Sequence, residues 1–259
     1  MKKCIPYSNY IVAAAGIAAA LLRKWLLTGG TDDKGLYPAA HPGWIGYLLL
    51  SIVTLAFIWA VTRQEKNNPN WNANFTGGIL PAASYVLCAI GMGLYSYTLL
   101  SETFMLVSLV RLWGFASAAV MLVLGWLRYH GRTSNTVLPL IPSLFFALQL
   151  ISLTGRFGSD PELLRFLPTI FASASTALAC YQMWGFSVDY GSRKSCLFWS
   201  LSAAYFCFAA APSDHVMYIT LGLWHLLSHP MLTLSPAAEP EEDVFDESYE
   251  EIFTENEEM

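Results

Sequence analysis

The chain has 259 residues, of which 55% are hydrophobic and only 13% are charged. Soluble domains carry about 25% charged residues, so this composition argues against a soluble globular protein and favours one surrounded by lipid. The formal net charge of −5 arises at the C-terminus, because residues 239–259 hold eleven of the 19 acidic residues and no Lys or Arg. The remainder is basic, but no basic stripe is interleaved with aromatic residues, so we predict no nucleic-acid partner.

Eight apolar runs follow one another along the chain. A helix needs about 20 apolar residues to cross a hydrocarbon core about 30 Å thick. Runs that reach or approach this length lie at 10–27, 43–61, 79–99, 104–127, 137–153, 164–186, 196–211 and 215–228. The last two are short, and the intervening Pro212-Ser213-Asp214 favours a tight hairpin of two crossing helices. The sequence therefore predicts an all-α, polytopic transmembrane helical bundle of about eight spans within residues 1–235.

Lys and Arg residues in the connections predict the orientation of this bundle. With the N-terminus inside, the inner segments hold eight basic residues: Lys2, Lys3, Arg63, Lys66, Arg128, Arg132, Arg193 and Lys194. The outer segments hold five, namely Arg23, Lys24, Lys34, Arg156 and Arg165. Because an excess of Lys and Arg marks cytoplasmic loops, we predict that both termini lie in the cytoplasm, in an inner or plasma membrane. Arg23 and Lys24 interrupt the end of the first run and are expected to snorkel to the outer interface.

Arg111 is the main ionisable residue inside a predicted span, and such residues mark functional sites by default. The threading places it in the outer half of the membrane with four other polar residues: Gln149, Ser173, Tyr205 and Tyr218. An Arg fork matches the geometry of a carboxylate or phosphate. We therefore hypothesise one polar pocket in which Arg111 anchors an anionic ligand. The alternative is that Arg111 snorkels to the interface or hydrogen-bonds a carbonyl, and that the tyrosines form an ordinary aromatic belt.

The segment LGLWHLLSHP, residues 221–230, places His225 and His229 four residues apart on one helical face. It resembles the His-x-x-x-His of the last span in the ceramidase-like transmembrane hydrolases, a likeness confined to this segment. That family implies a zinc site with further Ser, Asp and His ligands, and no Ser-x-x-x-His occurs on an early run. Zinc is thus expected only under this alternative, since a catalytic zinc needs three protein ligands. The favoured interpretation is that His225 is interfacial and that His229-Pro230 ends the helix.

Residues 236–259 form an acidic tail whose composition is typical of disorder. Four apolar residues in it follow helical spacing, so residues 239–259 are also a candidate docking segment for a cytoplasmic protein partner. The five cysteines are odd in number and lack a C-x-x-C spacing, which indicates small apolar residues and not a disulfide framework. Nucleotide-binding and hydrolase motifs such as G-x-x-x-x-G-K-[ST] and G-x-S-x-G are absent.

Three functions fit these features. The first, which we favour, is a non-enzymatic membrane component that binds or helps to transport a small anionic or lipid-like ligand through the Arg111 pocket. The second is a membrane-embedded metal hydrolase that uses His225 and His229. The third is a membrane scaffold that recruits its partner through the acidic tail. No cofactor is predicted for the first or the third.

Overall fold

The computed structural model describes residues 7–29, 42–67, 69–75, 77–102, 104–132, 137–157, 163–213 and 216–228. The described part of the chain is helical and contains no strand. Its helices are α1 Ser8–Gly29, α2 Pro42–Thr62, α3 Trp71–Asn74, α4 Ile79–Thr98, α5 Met105–Tyr129, α6 Leu140–Phe157, α7 Leu163–Phe186, α8 Arg193–Ala210 and α9 Val216–Ser228. The all-α prediction is confirmed, and each of the eight apolar runs corresponds to one of the eight long helices. The acidic tail lies outside the described residues.

The long helices run alternately up and down. Arg23, near the end of α1, contacts Ala209 at the end of α8. We call this the Arg23 end of the bundle; α4 and α6 also finish here, and α2, α5, α7 and α9 begin here. At the opposite end, Arg193 at the start of α8 contacts Glu65 just after α2. We call this the Arg193 end.

Helix α8 packs against four other helices, α1, α2, α7 and α9. Contacts of α7 with α6, α6 with α5, α5 with α4, and α4 with α9 close a ring of six helices that includes α8. Most of α8 is buried, including its small residues Ser200, Ser202, Ala203 and Ala204. Small side chains let neighbouring backbones approach closely, which is how helices pack inside a membrane. The small side chains of α8 therefore account for its burial against four neighbouring helices.

The outer helices turn large apolar side chains away from the protein. Ile52 and Val53 on α2, Leu112 on α5 and Ile90 on α4 are more than half exposed. A water-soluble monomer does not present so large an apolar surface. Within the described residues, four helices, α1, α2, α4 and α5, are both long and apolar enough to span a membrane. These helices are compatible with a membrane protein, whereas eight spans remain a prediction.

Candidate functional sites at the two ends of the bundle

Polar side chains from three helices meet at the Arg23 end. The Nε2 amide of Gln149 on α6 donates to the Tyr218 hydroxyl on α9, at 3.1 Å. The Tyr218 hydroxyl also interacts with Ser173 on α7. Ser173 donates its own proton to the Thr169 carbonyl at 3.0 Å. Three of the predicted pocket residues are therefore brought together.

The fourth pocket residue, Tyr205, belongs to a second buried chain at the same end. The Ser51 hydroxyl donates to the Tyr47 carbonyl and lies 2.8 Å from the Tyr205 hydroxyl. Since Ser51 has one proton, Tyr205 donates to it. Arg23 is only 3% exposed and donates from Nη1 to the Ala209 carbonyl at 3.0 Å. The expectation that Arg23 snorkels to the interface is wrong, because its side chain is buried and its guanidinium contacts the Ala209 carbonyl near the end of α8.

Arg111 lies at the Arg23 end but makes a different contact from the one hypothesised. Its side chain is half-buried, and its Nη1 donates to the Leu100 carbonyl at 3.4 Å. Leu100 belongs to the turn of 3-10 helix, Leu99–Ser101, that follows α4. Among the described residues, no hydrogen bond links Arg111 to Gln149 or Tyr218. Its role as the anion anchor of that pocket stays a prediction.

His225, the described member of the predicted histidine pair, is fully buried near the end of α9, with its ring 4.4 Å from that of Trp224. His229 lies outside the described residues. Within the described chain, no group of three His, Cys, Asp or Glu residues is placed to hold a metal ion. Four cysteines are buried and free, as the sequence predicted: Cys88, Cys180, Cys196 and Cys207.

A buried ion pair organises the Arg193 end. Nε of Arg193 lies 2.9 Å from Oε2 of Glu65, and its Nη1 donates to Oδ1 of Asn74 at 3.1 Å. Both charged side chains are largely withdrawn from solvent. Asn74 in turn donates to the Asn70 carbonyl. The pair therefore fastens the α2–α4 connection to the start of α8.

Arg128, in the last turn of α5, is the most unusual group at this end. It is only 3% exposed, and its guanidinium carbon lies 4.6 Å from the centre of the Phe75 ring. None of its three guanidinium nitrogens has a hydrogen-bond partner among the described residues. Phe75 stacks on Trp71 and meets Phe186 edge-on, so two further aromatic rings support the ring that covers the cation. Buried polar groups are nearly always hydrogen-bonded, and a bare guanidinium suits an anion.

Sequence reasoning treated Arg128 and Arg193 only as charges that set the orientation. One signal could have singled out Arg128. The buried residues Val107, Gly114, Met121 and Arg128 of α5 recur every seven residues, which places Arg128 on the row that faces the protein. The Arg193–Glu65 contact joins residues 128 positions apart, and no local pattern predicts such a pairing.

No family model, no curated protein and no solved structure matches this chain.

Proposed function

We propose that this protein crosses an inner or plasma membrane eight times, with both termini in the cytoplasm, and binds a small anionic or lipid-like ligand among its helices as a binding or transport-associated component. The alternation of helix ends supports an even number of crossings. Six described basic residues lie at the Arg193 end: Arg63, Lys66, Arg128, Arg132, Arg193 and Lys194. This charge favours the cytoplasm for that end.

Helix lengths are compatible with this threading. At a rise of 1.5 Å per residue, the 24 residues of α7 extend about 36 Å and the 18 residues of α8 about 27 Å. The 13 residues of α9 extend about 20 Å, so the bilayer must thin locally or α9 must end below the headgroups. Because α8 is enclosed by other helices, it does not need the apolar surface of a lipid-facing span.

The single observation that carries the ligand proposal is the Arg128 guanidinium, which is buried without an acceptor in the described chain. Burying a charge that has no partner costs several kcal/mol. An oxyanion would accept two parallel N–H bonds from the guanidinium fork and offset this cost. The Phe75 ring covers the guanidinium and limits its contact with water, and a hydrogen bond in such an environment is stronger. Gln149, Ser173, Tyr205 and Tyr218 remain a second proposed binding place, with Arg111 as its anchor.

The experiment compares the unfolding of Arg128→Met with the wild type in detergent, after extensive washing to remove bound molecules. Met keeps the side-chain length and removes the unpaired charge, so we expect equal or higher stability, by up to about 3 kcal/mol. A matched control, Arg132→Met, removes a charge from an exposed side chain four residues away and is expected to change stability by less than about 0.5 kcal/mol.

Native mass spectrometry of gently purified protein supplies the second measurement. We expect the wild type and Arg132→Met to retain a bound anionic species that Arg128→Met loses. A clear destabilisation by Arg128→Met, together with no bound species in the wild type, would show that Arg128 only fastens α5 to Phe75.

A further inference from the structure

A second feature of the Arg193 end is a cleft of about 220 Å³ between the end of α2 and the start of α8. Arg63 and Lys194 are its basic residues, and the hydroxyl side chains of Thr62 and Ser195 also line it. Its walls include Trp59 and Trp199. The cleft therefore combines positive charge, hydroxyl groups and aromatic surface, and it shares no lining residue with the Arg128 site.

The two basic side chains of the cleft are available to a ligand. Arg63 and Lys194 are both exposed, and neither forms an ion pair within the described chain. Arg63 is held in place because its guanidinium carbon lies 4.1 Å from the centre of the Trp59 ring. A cation stacked on an aromatic ring is positioned without being neutralised.

Side chains, not backbone amides, must recognise a ligand here. The first turn of α8 could in principle offer N–H groups to an anion. However, the amide of Lys194 already donates to Asn67 and that of Ser195 to the Ser192 hydroxyl, at 3.3 and 3.4 Å. Affinity for an anion thus depends on the charges of Arg63 and Lys194.

The volume and the position of the cleft identify the kind of molecule that fits. Pockets that enclose a whole small ligand hold about 300–1,000 Å³, so this cleft takes one group of a larger molecule. It opens beside Trp59, which is 51% exposed at the end of a helix able to span a membrane. Trp at such a position sits at the level of the lipid headgroups. Farther along α2, Leu49, Ile52 and Val53 present an exposed apolar surface that suits acyl chains.

We propose that this cleft binds the phosphate of an anionic phospholipid, with Arg63 and Lys194 contacting the headgroup and the acyl chains lying along α2. Basic pockets between helices on the cytoplasmic side are typical places for anionic headgroups. The inference goes beyond the proposed ligand at Arg128 and does not depend on it. The cleft then holds a structural lipid that is in contact with the annular lipids around the protein.

The test uses native mass spectrometry of full-length protein in detergent, with phosphatidylglycerol and phosphatidylcholine of identical acyl chains added at equal concentrations. The variant is the double substitution R63Q/K194Q. The matched control is K66Q/R132Q, which removes two exposed charges from the same end but outside the cleft. All four positions are exposed, so size-exclusion chromatography is expected to show folded protein throughout.

We expect the wild type and K66Q/R132Q to retain phosphatidylglycerol in preference to phosphatidylcholine, and R63Q/K194Q to reduce that preference by about thirtyfold. An unchanged preference in R63Q/K194Q would overturn the proposal, as would an equal reduction in the control. A further sample contains inorganic phosphate at the same concentration. If phosphate alone displaces phosphatidylglycerol, the cleft is a site for soluble anions and the lipid assignment is wrong.

Discussion

The side chains of Tyr218 and Gln149 differ in how fully their polar atoms are hydrogen-bonded. Tyr218 accepts a hydrogen bond from Gln149 and also interacts with Ser173, so its hydroxyl joins three helices. The Oε1 atom of Gln149 has no hydrogen-bond partner within the described chain, although the side chain is only 1% exposed. Removing the Tyr218 hydroxyl leaves the buried Nε2 of Gln149 without its acceptor, whereas replacing Gln149 also removes an unsatisfied acceptor.

We therefore predict that Tyr218→Phe lowers the free energy of unfolding in detergent by about 1–2 kcal/mol, the upper part of the range for hydrogen bonds between membrane helices. Gln149→Leu is expected to change it by less than about 0.5 kcal/mol, because the lost bond is offset by the lost burial of Oε1. Both are measured by reversible unfolding in mixed micelles. If Gln149→Leu costs as much as Tyr218→Phe, Oε1 has a partner and offers nothing to a ligand.

For single residues, the sequence predicted the depth of a residue along the bundle better than the direction in which its side chain points. It placed Gln149, Ser173 and Tyr218 at one end of neighbouring helices, and their hydrogen bonds follow from that placement. It selected Arg111 for its depth, yet that guanidinium reaches the Leu100 carbonyl. Arg128 lay in the last turn of its helix, where an arginine usually only sets orientation. Which side a long side chain faces depends on neighbouring helices, and that information is not local.

Glycines on α4 provide a test of helix packing at the scale of elements. A Cβ atom at Gly91 would overlap the hydroxyl of Thr220 on α9, whereas one at Gly93 would meet no atom within 4 Å. Gly91 therefore permits the close approach of α4 and α9, as small residues do in membrane bundles. Gly93 is a matched control on the same helix.

We predict that Gly91→Ala lowers the free energy of unfolding by about 1–3 kcal/mol, because Thr220 and α9 must move to admit the methyl group. Gly93→Ala is expected to raise it by up to about 1 kcal/mol, since Ala is the better helix former. The measurement is thermal unfolding of both variants in the same detergent. Equal effects would mean that α4 and α9 do not meet at Gly91.

The elements themselves were largely predictable. Each apolar run gave a helix because a continuous apolar sequence of that length has no other stable form in lipid. The four-residue α3 and the turn Leu99–Ser101 were not predicted, since both are short and depend on packing at the bundle ends. The enclosure of α8 was not predicted either. Its sequence resembles that of a short span, and only the contacts between helices show that it packs against four others.

For the whole molecule, the arrangement of charged side chains at the two ends links the fold to the proposed function. The Arg193 end gathers the buried Arg193–Glu65 pair, the covered Arg128 guanidinium and the basic cleft of Arg63 and Lys194. The Arg23 end also carries basic residues, among them Arg23, Lys24 and Arg111, beside buried hydroxyl and amide groups. With the orientation proposed above, the Arg128 site and the basic cleft face an anionic cytoplasmic leaflet, which attracts basic groups.

The central claim is that the bundle crosses the membrane with the Arg193 end in the cytoplasm, and thiol labelling in intact cells tests it most directly. Thr28→Cys marks the Arg23 end and Lys66→Cys marks the Arg193 end, each with Cys4 replaced by Ser, while the four other cysteines are buried. A membrane-impermeant maleimide is predicted to label Thr28→Cys in intact cells and Lys66→Cys only after the membrane is permeabilised. Labelling of both positions in intact cells, or recovery of the chain in the soluble fraction without detergent, would contradict the account.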